Sequence, residues 1–167
     1  MTDTANALAE LLIRNIHQLP LNPFQRDPLY ASDRARITEG TAARKLAAVF
    51  DVVPPGKRVC PYHSHYAQEE MFIVIEGSGT LRVADQLLPI KAGDVICIPP
   101  GPQYPHQILN TSSATLKYIS IGTTDDPEIC VYPDSGKFMA EADLNTEAPF
   151  EFIGKAAGGI NYWEGER

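Results

Sequence analysis

Residues with metal-binding and acid–base chemistry concentrate between Gly56 and Gly77, in the stretch GKRVCPYHSHYAQEEMFIVIEG. His63 and His65 stand two apart, and two carboxylates, Glu69 and Glu70, precede an apolar run. On a β-strand, residues i and i+2 project from one face, so their side chains start ~7 Å apart. Two imidazoles at that spacing can converge on a single cation. Glu70 opens a run to Ile75 whose β-branched and aromatic residues read as a strand. If that strand lies antiparallel to the histidine strand, an inward Glu70 supplies a third donor. Glu69 is the alternate carboxylate, since strand alternation forbids both from pointing inward. A second stretch, Gly93 to Asn110 (GDVICIPPGPQYPHQILN), runs from a short apolar strand through a Pro-Pro-Gly turn to His106, the candidate fourth donor. Three imidazoles and one carboxylate suit one divalent transition metal, with iron, manganese, nickel, zinc and copper all compatible.

Other reactive side chains stand near these donors. Tyr62, Tyr66, Gln103 and Tyr104 flank the histidines. Of these, Tyr62, Gln103 and Tyr104 are the candidates for a catalytic or substrate-selecting role, weighed against an ordinary loop role. Cys60, three residues before His63, faces the mouth of the site or is a small half-buried residue. Cys97 sits mid-strand in an apolar run and reads as core. Phe72, Val74, Leu81 and Ile108 are core residues by default and cavity-wall candidates. His17 reads as a surface histidine. Lys57 and Arg58 either attract an anionic substrate or are simply solvated. No Ser-His-Asp order, phosphate-binding loop or CxxC is present.

The elements that must carry these residues are short strands. KLAAVFDVV, residues 45–53, reads as the first clear strand, turned by Pro54-Pro55-Gly56. Arg58 to His65 is expected to form the first ligand strand and Met71 to Glu76 the next. The second of these is apolar at consecutive positions, which implies cover on both faces, from the N-terminal arm or a second subunit. Turns at 76–79, 85–86 and 91–94 separate strands at 80–84, 87–90 and 95–98; strands at 105–109 and 116–122 complete the series. That rhythm signals an all-β sandwich or barrel. Before it, Thr4 to Ile16 carries a one-sided apolar stripe that Thr2, Asp3 or Thr4 can cap, so a helix is expected. Residues 18–38 read as an arm or long loop. After Gly122 one short strand is expected at Glu128 to Tyr132, then a mixed polar stretch. In the aromatic tail, Phe152, Tyr162 or Trp163 is expected to dock on the barrel or on a partner subunit.

The two donor-bearing stretches resemble the two cupin motifs. Gly56, His63, His65, Glu70 and Gly77 follow the first, with one extra residue after Gly56. The six-residue step to Gly77 selects Glu70 over Glu69. Gly93, Pro99, Gly101, His106 and Asn110 follow the second, with four residues between Gly101 and His106 where the family has two. The match spans about half the chain. The resemblance implies a double-stranded β-helix, the cupin jelly-roll barrel, over residues 41–135. A short N-terminal helix and arm would occupy 1–40, and a C-terminal extension, 136–167, would pack on the barrel or a partner. The resemblance also implies a metal inside the barrel on His63, His65, Glu70 and His106, and a homodimer. Were the longer loop to turn His106 away, a two-histidine, one-carboxylate set would remain, which suits non-haem iron.

Composition bounds the rest. One domain is expected from 167 residues, 44% of them apolar. A net charge of -7 without a basic cluster argues against nucleic acid or an anionic membrane as partner. No apolar run approaches the ~18–20 residues of a membrane span. Three scattered cysteines and an N-terminus with early acids and no basic region point to a reduced, cytoplasmic protein. Three function classes remain. The first is a metal-dependent enzyme of dioxygenase, isomerase or lyase type acting on a small organic molecule. The second is a non-catalytic cupin that binds a small molecule such as a sugar or organic acid. The third is a metal-independent sugar epimerase or isomerase using His63 or Tyr62 as acid–base groups.

Overall fold

A computed structural model describes residues 2–143, 147–155 and 158–166 of the chain. Helix α1 (Asp3–Leu12) is followed by β1 (Asn22–Arg26), β2 (Tyr30–Arg36), β3 (Leu46–Val53), β4 (Ser64–His65), β5 (Glu70–Glu76), β6 (Ser78–Val83) and β7 (Gln86–Lys91). Then come β8 (Val95–Ile98), β9 (His106–Leu109), β10 (Leu116–Thr123), β11 (Glu128–Tyr132), a 3-10 turn at Pro133–Ser135, β12 (Lys137–Ala142) and β13 (Phe150–Lys155). No helix among the described residues is long and apolar enough to cross a membrane.

The strands form two layers. One is a six-stranded antiparallel sheet in the order β1-β2-β3-β10-β5-β8. The other joins the sheet β13-β12-β11-β4 to the sheet β7-β6-β9 through a bridge between His63 and His106. Period-two alternation sends Phe72 and Val74 of β5, Leu116 and Tyr118 of β10, Val53 of β3 and Ile98 of β8 inward from the first layer. They meet Leu81, Ile90 and Ile108 from the second. Burying each such side chain contributes on the order of 1.5–3 kcal/mol. The result is the expected double-stranded β-helix.

Two motif residues build this frame without touching the centre. Asn110 is 1% exposed. Its Nδ2 donates to the carbonyls of Val53 and Ala114, both at 2.8 Å, and its Oδ1 accepts from the backbone and hydroxyl of Ser112. It thereby closes the turn between β9 and β10. Gly77 has φ 83°, and a Cβ there would stand 2.4 Å from the carbonyl oxygen of Thr115, so the β5–β6 corner admits glycine alone.

Several sequence expectations change. The helix stops at Leu12 rather than Ile16, and none of its residues is buried. Thr2 is its cap, accepting the Ala5 N–H at 3.3 Å. Residues 18–38, expected as a loop, hold the β1–β2 hairpin at the end of the large sheet. Their signal is silent because the buried positions of β2 are Ser32 and Ala35, while β1 is exposed throughout. Arg58 to His65 is not one strand: only Ser64–His65 is, with isolated bridges at Arg58 and His63. Cys97, expected in the core, is exposed, because in β8 the alternating partners Ile96 and Ile98 face inward. Met71 and Ile75 on the outer face of β5 remain 38% and 37% exposed, so nothing in the single chain covers them fully. Strand β12 extends the second layer where a mixed polar stretch was expected, and β13 extends it further at the start of the aromatic tail. Phe152 rests on Phe138 of the neighbouring strand at 5.7 Å between centroids. Tyr162 and Trp163 touch each other and stay exposed rather than docking on the barrel.

Candidate metal centre

The donors arrive from three segments. His63 and His106 exchange both backbone hydrogen bonds, at 3.1 and 2.7 Å, so their side chains emerge on the same side. Their ring centroids lie 4.6 Å apart. His65 follows on the same face as His63, with centroids 4.9 Å apart. Glu70, first residue of β5, points inward, while Glu69 is exposed. The longer loop before His106 does not displace it: the Gly101 N–H donates to the His65 carbonyl at 2.7 Å and holds the loop against the histidine segment.

All four candidates meet at one carboxylate oxygen. Glu70 Oε2 lies 2.7 Å from His106 Nε2, 3.5 Å from His65 Nε2 and 3.8 Å from His63 Nε2. The outer ring nitrogens are committed elsewhere. His63 Nδ1 is 2.9 Å from the Pro61 carbonyl and His106 Nδ1 is 3.1 Å from the Tyr104 carbonyl. A carbonyl only accepts, so both Nδ1 atoms carry a proton, and in the neutral form of either ring Nε2 turns its lone pair toward Glu70. Several acceptors therefore face one another around a small volume, an arrangement that a divalent cation relieves. The donor set fits one.

The electrostatics agree. Burial, reinforced by His106, pushes the His63 imidazole down to about 4, so it is neutral at pH 7. Burial alone would raise Glu70, but the hydrogen bond to His106 and the three rings outweigh it, and its carboxyl is held below the ordinary range. A neutral imidazole at His63 and an ionised carboxylate at Glu70 are protonation states that metal binding requires, and a cation would displace the proton between Glu70 and His106.

A second row of residues, assigned no functional role from the sequence, comes from β11. Glu128, 2% exposed, lies behind His65: its Oε1 is 3.5 Å from His65 Nδ1, longer than a hydrogen bond. Its oxygens accept from the backbone N–H groups of Tyr66, Ala67 and Gln68 at 2.9, 3.0 and 2.8 Å. Cys130 pairs with His65 across β4 and β11, and Tyr132 stacks on His63 at 6.2 Å. The legible signal was Glu128-x-Cys130-x-Tyr132, three reactive side chains on one strand face.

The remaining candidates separate by position. Tyr62 turns away from the donors: its ring lies under Arg82 at 3.7 Å and its hydroxyl meets Asp85. Alternation explains this, since its neighbour His63 points inward. Gln103 and Tyr104 are exposed in the loop before His106, and only the Tyr104 carbonyl reaches a ligand. Cys60 is half-buried, with its Sγ 3.8 Å from His63 Nδ1. Phe72 walls the site, its ring 5.6 Å from that of His106.

The cupin domain profile matches residues 49–122, the segment that carries all four donors. Residues 49–122 form a cupin domain. This cupin is 35% identical over 68 residues to an uncharacterised protein of Methanocaldococcus jannaschii, covering 41% of this chain and 52% of that one. The match therefore spans about half the length of that curated relative. It is 29% identical over 149 residues to auxin-binding protein 1 of Arabidopsis thaliana, covering 83% of this cupin and 71% of that protein. Among solved structures, one from Acidithiobacillus ferrooxidans, provisionally named a sugar phosphate isomerase, superposes with a TM-score of 0.79 at 22% identity. The alignment covers 91% of this cupin and 96% of that chain, and it establishes the shared fold.

Proposed function

We propose that this cupin is a metal-dependent enzyme that isomerises a small, sugar-like hydroxy-carbonyl molecule at the centre formed by His63, His65, Glu70 and His106. The observation that carries the reading is the convergence of three imidazole Nε2 atoms on one oxygen of Glu70, within 2.7–3.8 Å. The near full-length likeness to a structure named as a sugar phosphate isomerase supports isomerisation over the dioxygenase and lyase chemistries of the same donor set. A divalent cation held there would polarise a carbonyl or hydroxyl oxygen of the substrate. The protein's own part is positional. Glu70 and the two oriented imidazoles hold their lone pairs inward, Phe72 keeps that wall apolar, and the loop bearing Gln103 and Tyr104 is the candidate selector of substrate.

Elemental analysis of the purified protein from metal-replete cells, with His63→Ala as control, tests the centre. A panel of aldose and ketose phosphates, assayed with the metal found and again after chelation, tests the reaction. Turnover lost on chelation and restored by metal supports the proposal. Turnover that survives chelation favours the metal-independent isomerase, and no metal above trace overturns the centre.

The likeness to auxin-binding protein 1 favours a second reading, a non-catalytic cupin that holds a small organic acid. Melting-temperature shifts with such ligands and no turnover would select it.

A further inference from the structure

Four donors usually imply one geometry, but the side chains here form two overlapping sets. The ligand atoms of His63, Glu70 and His106 lie within 4.8 Å of one another, and so do those of His63, His65 and Cys130. His63 belongs to both sets. His65 faces Glu70 at 3.5 Å on one side, while on the other its backbone pairs with Cys130. The rings of His65 and His106 are farther apart than either is from His63, with centroids 6.4 Å apart against 4.9 and 4.6 Å. Cys130 is 2% exposed, and strand alternation places it on the same face as Glu128, behind His65.

We propose that Cys130 is a further ligand of the centre, recruited by thiophilic cations. Resting on the metal-binding reading above, this assigns two modes to one cavity. Hard divalent ions such as Mn(II) are held by the imidazoles and Glu70. Soft or borderline ions such as Cd(II), Cu(I) and Co(II) are held by His63, His65 and the Cys130 sulfur. The division follows donor softness: thiolate selects soft metals, and carboxylate selects hard ones. Coordination needs the thiolate, so binding in the soft mode releases the Cys130 proton to solvent. Cys97 is exposed on the outer face of the barrel and Cys60 lies toward the outer nitrogen of His63, at 3.8 Å from Nδ1, so neither belongs to this set.

Titration of the metal-free protein with Co(II) separates this proposal from the reading beneath it. Visible d–d bands report that cobalt is bound, and an intense near-ultraviolet sulfur-to-cobalt charge-transfer band reports that thiolate is a ligand. The expected result is both bands in the wild type, with the charge-transfer band lost and the d–d bands kept in Cys130→Ala and in Cys130→Ser. Cys60→Ala should keep both. Competition between Cd(II) and Mn(II) should show the preference for cadmium falling at least about tenfold in Cys130→Ala. Circular dichroism confirms that each variant is folded, and the second substitution serves if the first is not. Cobalt d–d bands without charge transfer in the wild type, or charge transfer that persists in both Cys130 variants, overturns the proposal while leaving the metal centre intact. Absence of any cobalt, cadmium or manganese binding overturns both.

Discussion

Glu70 Oε2 and His106 Nε2 stand 2.7 Å apart, although the His106 ring has already committed its Nδ1 proton to the Tyr104 carbonyl. In the neutral ring two acceptors would then face each other, so a proton or a cation must lie between them. Glu70→Gln replaces the acceptor by an amide that can donate. The metal-free variant is expected to melt no lower than wild type, while metal affinity falls by roughly 100-fold or more. Paired thermal melts with and without metal, and a competition titration, check both halves.

His106→Ala removes the donor closest to Glu70 and leaves His63 and His65 in place. Metal retained through gel filtration is expected to drop below half occupancy, and substrate turnover with it. Elemental analysis of the eluted protein checks the first outcome. A variant that keeps full occupancy would assign the centre to the remaining three residues.

Glu128 braces the turn after His65 and sets a buried carboxylate 3.5 Å from its Nδ1. Glu128→Gln keeps the side-chain shape but removes the charge, and is expected to weaken metal binding roughly 10–100-fold. Glu128→Ala leaves three backbone N–H groups without their partner and is expected to cost about 2–4 kcal/mol of stability besides. Urea unfolding of the metal-free forms distinguishes the two variants.

The pH dependence of the metal-free protein follows from His63, whose folded value lies near 4 against an ordinary 6.5. Between these values the unfolded chain binds a proton that the folded one refuses. Stability therefore rises with pH across this window and is lost as pH falls from about 6.5 toward 4, by up to roughly 3 kcal/mol. Unfolding measured at pH 7 and pH 5 should show this loss in wild type and a smaller one in His63→Gln.

Exposed Met71 and Ile75 on β5, with Val95 beside them on β8 at 56% exposure, leave an apolar strip on the large sheet. We expect a second copy of this chain to cover it. Sedimentation at micromolar concentration should give a dimer, and Met71→Lys with Val95→Lys should shift it toward monomer. A wild-type monomer would rule the pairing out.

Much of this molecule can be read along the chain. The regular series of short strands and the turns between them indicate a barrel, because each run of strand-forming residues and each turn is a local signal. The spacing of His63, His65 and Glu70 has the same local origin, whereas the choice of Glu70 over Glu69 rests on the resemblance to the cupin motif. What is decided between distant segments cannot be read that way. The β1–β2 hairpin hides behind Ser32 and Ala35, small residues whose burial depends on the sheet they join. The inward turn of His106 depends on a backbone exchange with His63 and on the hold of Gly101 on His65. Tyr62 faces away because its neighbour faces in. Glu128 and Cys130, more than sixty residues beyond His63 and His65, reach the centre through strand pairing alone. The chain by itself determined the donors and the kind of framework that holds them. Only the closed sheets decided which lone pairs face one another, because strand pairing and ring orientation are properties of contacts, and contacts do not exist until the chain has folded.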